Sequence, residues 1–150
     1  MSGSILALES DKKDIYQLQR AFQSAGLVDR LTVVRNREEA LCYLKGTGIY
    51  GDRRAYPLPE LVLLDITADI CDGIGVLKWM KDHPQLKTTL IVATGRAMPQ
   101  KLAQTAYDIG ANAVFEKPSD LEELSELIRS LEFLSSLPEI NKSTRKSNLQ

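Results

Sequence analysis

The sequence predicts an α/β domain built on a doubly wound, five-stranded parallel sheet of order 2-1-3-4-5. Short apolar runs punctuate the chain at Ile5-Leu6-Ala7-Leu8, Leu31-Thr32-Val33-Val34, Leu61-Val62-Leu63-Leu64, Leu90-Ile91-Val92-Ala93 and Ala113-Val114-Phe115. They are continuous rather than alternating, the pattern of strands buried on both faces. Segments of helical period separate them, and β-α alternation implies a parallel sheet covered by helices on both sides. With right-handed crossovers, 2-1-3-4-5 is the natural order for five such units.

Each helix carries its own signals. Ile15, Leu18, Ala21, Phe22 and Ala25 share one face, and Gly26 supplies a left-handed residue after them. Asn36 and Glu39 form a capping pair for a second helix that turns Ala40, Leu41 and Leu44 inward and stops at Gly46. The stretch from Gly46 to Pro59 reads as an exposed loop. Ile74, Leu77 and Met80 mark a third helix that Asp72-Gly73 turns into and that ends near His83-Pro84. Trp79 belongs to the core or a half-exposed face. Leu102, Ala106 and Ile109 mark a fourth helix, stopped by Gly110. Ser119 and Glu122 cap a fifth with the stripe Leu121, Leu124, Ile128, Leu131 and Leu134. The domain is expected over residues 4–134, with a polar tail over 135–150.

Bulk properties narrow the function. The 150 residues carry a net charge of −1, which lacks the basic footprint of a nucleic-acid binder. No apolar run approaches the roughly 20 residues needed to span a bilayer, and Met1-Ser2-Gly3-Ser4 lacks the basic region and long apolar stretch expected of a signal peptide. A cytoplasmic location is expected. Cys42 and Cys71 form no metal or redox spacing and read as reduced, buried fillers. His83 is the sole histidine and looks like a helix-end residue, so no His-based triad or zinc site is available.

Ligands of an open parallel sheet bind beyond the carboxyl ends of the strands, where the strand order reverses. Those ends carry Glu9-Ser10-Asp11, Asp65-Ile66-Thr67, Thr94-Gly95 and Glu116-Lys117-Pro118. Glu9, Asp11 and Asp65 should crowd one another, with Lys117 reaching in from the edge side. Crowded carboxylates repel unless a cation neutralises them. Hard oxygen ligands suit Mg²⁺, which takes one or two carboxylates and keeps waters. A carboxylate beside such an ion can attack phosphorus and become an aspartyl phosphate. Lys117 would then pair with the added oxygens and Thr94 would donate a hydroxyl. Plainer roles stand beside these. Ser10, Asp11 and Asp14 can simply cap the first helix, and Lys117-Pro118 can be only a turn, with a cis bond as one form. Asp65 is harder to dismiss, because a carboxylate directly after four apolar strand residues needs a partner or a job.

Four segments in order, Ile5 to Asp11, Leu63-Leu64-Asp65 through Asp72-Gly73, Gly110-Ala111-Asn112-Ala113 and Lys117-Pro118, resemble the receiver domains of two-component response regulators. The resemblance covers about Ser4 to Leu134. Leu44 to Gly51 and Ala106 to Gly110 are similar to the stand-alone, phytochrome-associated branch. The resemblance implies the flavodoxin-like receiver fold and a phosphoryl acceptor at Asp65 served by a sensor histidine kinase, phytochrome-like in that branch. It implies that Lys117 contacts the phosphoryl group and that Glu9, Asp65 and the Thr67 carbonyl hold Mg²⁺. It implies a signal relay rather than an enzyme.

Departures from the family pattern are specific. Its second acidic position falls on Ser10, which weakens the Mg²⁺ site; Asp11, one position off, helps only if the loop adjusts. The Met-Pro pair after the acceptor reads Ala68-Asp69. The switch Thr or Ser falls on Gly95, or on Thr94 with one extra loop residue. The aromatic position three before the lysine is Val114, with Phe115 next to it. Two readings follow: a stand-alone regulator phosphorylated on Asp65, or a phosphorylation-independent pseudo-receiver acting as an interaction module. The fifth helix leaves little chain after it, so the signal is expected to leave through protein contacts. The resemblance offers the face of the fourth and fifth helices for these contacts and for a homodimer. A haloacid-dehalogenase phosphatase would need an aspartate where Thr67 stands. A nucleotide binder would need Gly and hydroxyl groups where Glu9 and Asp11 would repel phosphate.

Overall fold

In the computed structural model, which describes residues 3–117 and 121–135, the strands are β1 (Ser4–Leu8), β2 (Leu31–Val34), β3 (Pro59–Asp65), β4 (Leu90–Gly95) and β5 (Ala113–Glu116). They form one parallel sheet in the order β2-β1-β3-β4-β5, as predicted. The helices α1 (Lys12–Ser24), α2 (Arg37–Lys45), α3 (Gly73–Lys81), α4 (Gln100–Ile109) and α5 (Leu121–Ser135) alternate with them. None of the described helices is long and apolar enough to cross a membrane.

The continuous apolar runs fill two cores because successive strand residues point to opposite faces. Leu6, Leu8, Val62, Leu64, Ile91 and Ala93 face α2, α3 and α4, where Leu44, Leu77, Met80 and Ala106 meet them. Ile5, Ala7, Leu61, Leu63, Val92 and Ala113 face the other way, onto Phe22 and Ala21 of α1 and Ile128 of α5. β2 departs from the expected burial. Leu31, Thr32 and Val33 are only half-buried, because β2 is an edge strand with one neighbour.

Local signals hold the helices where the sequence put them. The Asn36 side chain accepts from the Glu39 amide, and Gly46 ends α2 with φ 71°. Asp72 caps α3 from a left-handed conformation, φ 51°. His83 stacks on Trp79 just beyond α3, with Nδ1 2.6 Å from the Trp79 carbonyl oxygen. The stretch from Gly46 to Pro59 is not simply an exposed loop. Tyr50 is buried and packs against Tyr43 and Tyr56. Arg53 donates to the carbonyls of Tyr43, Leu44 and Tyr56 at 2.7–3.1 Å, closing the C-terminus of α2. The two cysteines separate: Cys71 is buried, whereas Cys42 is exposed on the outer side of α2, contrary to expectation. The Ser119 cap, the Pro118 bond, the side chains of Leu121, Leu131 and Leu134, and the tail beyond residue 135 lie outside the described residues.

Candidate functional site

The chain leaves β1 for one side of the sheet and returns through β3 on the other, so the crevice for a ligand opens beyond the ends of these two strands. The register sets the floor of that crevice. Leu8 pairs with Leu64 and Asp65 pairs with Thr94, so Glu9, Asp65 and Thr94 stand at one level. The Lys117 amide bonds to the Gly95 carbonyl at 2.8 Å, which places the lysine at the same end.

Lys117 is the hub. Its Nζ lies 2.6 Å from Glu9 Oε1, 2.7 Å from Asp65 Oδ2 and 3.1 Å from Asp14 Oδ2. Three donors of one ammonium thus meet three carboxylates, all of them buried. Arg96 reaches over the rim and pairs with the other oxygen of Asp14. Asp65 Oδ1 accepts from the amides of Thr67 (2.8 Å) and Ala68 (3.1 Å) and from the Thr67 hydroxyl (3.1 Å).

The electrostatics follow from this geometry. Burial pushes Asp65 up, but the Lys117 ammonium and the Thr67 and Ala68 amides outweigh it and hold the carboxyl below the usual range. In Glu9 burial wins, and its pKa rises despite Lys117. Burial also opposes the charge on Lys117, yet Asp65 and Glu9 drive its pKa well above the ordinary lysine value. The depressed pKa leaves Asp65 a carboxylate at neutral pH.

Other predicted residues take other places. Asp11 does not crowd Glu9 and Asp65. It is exposed, and its side chain caps α1 by accepting from the Asp14 amide at 2.9 Å. That cap leaves Asp14 one turn up the helix. Helical side chains tilt toward the N-terminus, so its carboxylate reaches back over the sheet end. Asp14 and Arg96 were missed as pocket residues, although that tilt and the position of Arg96 directly after a strand were the available signals. Thr94 stays with the cluster, lining a cavity of about 60 Å³ between the sheet and helices α1 and α5 together with Glu9, Asp14 and Lys117 as well as Leu63, Val92 and Phe115. Asp69 is exposed. Val114 is half-buried against the α3 and α4 core, and Phe115 against the α1 and α5 core.

The donors allow a modest test for Mg²⁺. Glu9 and Asp65 converge on a single point, marked by Lys117 Nζ, and one or two carboxylates suffice for an ion that keeps its waters. They form no fuller set. Ser10 is a neutral hydroxyl, Asp11 is turned outward, and no group of three or more His, Cys, Asp or Glu is placed to hold a metal among the described residues. Ser10 stands instead beside the Cys71 thiol, whose pKa burial raises.

The family model of the response regulator receiver domain matches residues 5–129. This chain is a response regulator receiver. Receivers are signalling modules rather than classical enzymes. The receiver is 26% identical to response regulator Rcp1 of Synechocystis over 128 residues, 85% of either chain. It is also similar to the crystal structure of response regulator RPA3017, from red-light signalling in R. palustris, with 29% identity, a TM-score of 0.78, and coverage of 86% of this chain and 90% of that one. A third relative is the phosphorylated cyanobacterial phytochrome response regulator RcpA, at 27% identity and a TM-score of 0.76, covering 88% of this receiver and 92% of that chain.

Proposed function

We propose that this receiver accepts a phosphoryl group on Asp65 from a sensor histidine kinase of the phytochrome type and relays the signal through protein contacts. The observation that carries the reading is the ionised Asp65 carboxylate at the end of β3, bonded at 2.7 Å to Lys117. In the transfer, a carboxylate oxygen of Asp65 forms a bond to phosphorus while the donor's nitrogen–phosphorus bond breaks. The bonding pair stays on the histidine nitrogen, which takes a proton. Lys117 follows the new negative charge, and the amides of Thr67 and Ala68 orient the carboxylate throughout. Thr94, at the level of Asp65, is within the same strand-end cluster and would serve as a further hydroxyl.

Glu9, Asp65 and the Thr67 carbonyl would hold Mg²⁺, weakly, because Ser10 withholds a carboxylate. When bound, the ion shields the charge of the phosphoryl donor. The kinase class rests on the relatives, several of which are regulators of phytochromes. The α4 and α5 face is the surface offered to a second copy or a downstream partner.

A second reading has its own observation. The Lys117 ammonium already occupies the point on which Glu9 and Asp65 converge, and a pseudo-receiver that works without phosphate would keep it there. Incubation with acetyl phosphate and Mg²⁺ separates the two. The first reading gives one added phosphate by intact mass, and the second gives none.

A further inference from the structure

Gly95 follows Thr94 at the end of β4, and its lack of a side chain is explained by contact rather than by backbone shape. Its φ is not positive, so the backbone accepts any residue. A Cβ built there would lie 2.2 Å from Thr67 Cγ2 and 2.8 Å from Thr67 Oγ1. The Thr67 side chain therefore fills the space that a residue at position 95 would use. Its hydroxyl is engaged there both as donor and as acceptor. It donates to Asp65 Oδ1 at 3.1 Å and accepts from the Arg96 amide at 3.2 Å. One hydroxyl thus bridges the acceptor carboxylate and the backbone of the β4–α4 loop. The loop it holds is strained: Ala97, the next residue, sits at φ 45°, a region that a side-chain-bearing residue enters at a cost. The Arg96 guanidinium is held in turn by Asp14.

We propose that Thr67 is the positioning residue that couples the state of Asp65 to the β4–α4 loop, standing in for a hydroxyl that β4 cannot carry at position 95. This deepens the phospho-acceptor reading and rests on it for its biological use. When Asp65 Oδ1 ceases to accept, the Thr67 hydroxyl is free to turn, the Arg96 amide loses its partner, and the strained loop relaxes.

The coupling is testable without phosphate, so its failure and the failure of phosphorylation are distinct results. The amide resonances of Arg96 and Ala97 are recorded in the ¹⁵N-labelled full chain with and without Asp65→Ala, in parent, Thr67→Ser and Thr67→Val backgrounds. Asp65→Ala is expected to displace both resonances in the parent and in Thr67→Ser. Thr67→Val keeps the branched shape without the hydroxyl, and most of the displacement should vanish there. An undiminished displacement in Thr67→Val overturns the proposal. Should Thr67→Val not fold, Thr67→Ala is compared with Thr67→Ala/Gly95→Ser, which returns a hydroxyl from β4. Restored displacement supports the coupling, and no restoration overturns it.

Discussion

The ammonium of Lys117 lies 2.7 Å from the carboxylate of Asp65, across 52 residues of sequence. The same ammonium serves Glu9 and Asp14, so one cation holds three buried carboxylates in place. This shared ion pair is the electrostatic centre of the fold's carboxyl end, and both stability and function should depend on it.

Replacing Lys117 by Met leaves the carboxylates buried without their cation. Breaking a buried pair from one side costs about 3–5 kcal/mol. The pH dependence should also shift, because Glu9, raised by burial even in the parent, opposes Asp65 there and is joined by it in the variant. In the parent, Asp65 has a depressed pKa, so its contribution is present above the unfolded carboxylate value and is lost as pH falls through the depressed one. Lys117, raised above its ordinary 10.5, contributes fully below that value and loses its contribution as pH rises through the higher folded value. In Lys117→Met the uncompensated carboxylates have raised pKa values, so the variant should gain stability as pH falls from 7 toward the carboxylate range. Urea unfolding at several pH values measures this, and equal stability of the variant at pH 7 and pH 5 would contradict it.

On the proposed reading, Ser10 leaves the metal set short of one charge. Ser10→Asp should strengthen Mg²⁺ binding by roughly tenfold, about 1.4 kcal/mol. Titration calorimetry of parent and variant reads the difference. Unchanged affinity would mean that Ser10 does not face the ion.

Much of this was legible in the sequence. The five apolar runs gave strand order because continuous burial on two faces admits few topologies, and Asp65 stood out because nothing else explains a carboxylate after Leu61-Val62-Leu63-Leu64. What was not legible depended on direction. Asp11 and Asp14 are three residues apart at the start of one helix, and only the cap geometry shows that the first turns outward while the second turns onto Lys117. The side chain of Thr67 was likewise invisible beside its carbonyl, because its partners at positions 65 and 96 meet only when β3 and β4 pair. Arg53 was lost inside a segment whose Gly and Pro content reads as loop.

Arg53 offers its own check. Its guanidinium satisfies three carbonyls, two of them in the last turn of α2. Arg53→Met keeps the stem but abandons those acceptors, and should cost about 2 kcal/mol. Thermal unfolding tests this, and a midpoint equal to the parent's would show that water replaces the guanidinium without loss.

The central claim concerns Asp65 itself. Parent and Asp65→Asn, treated side by side with acetyl phosphate and Mg²⁺, are compared by intact mass after quenching. One phosphate on the parent and none on Asp65→Asn is the result predicted here; no phosphate on either, or an equal adduct on both, would contradict it.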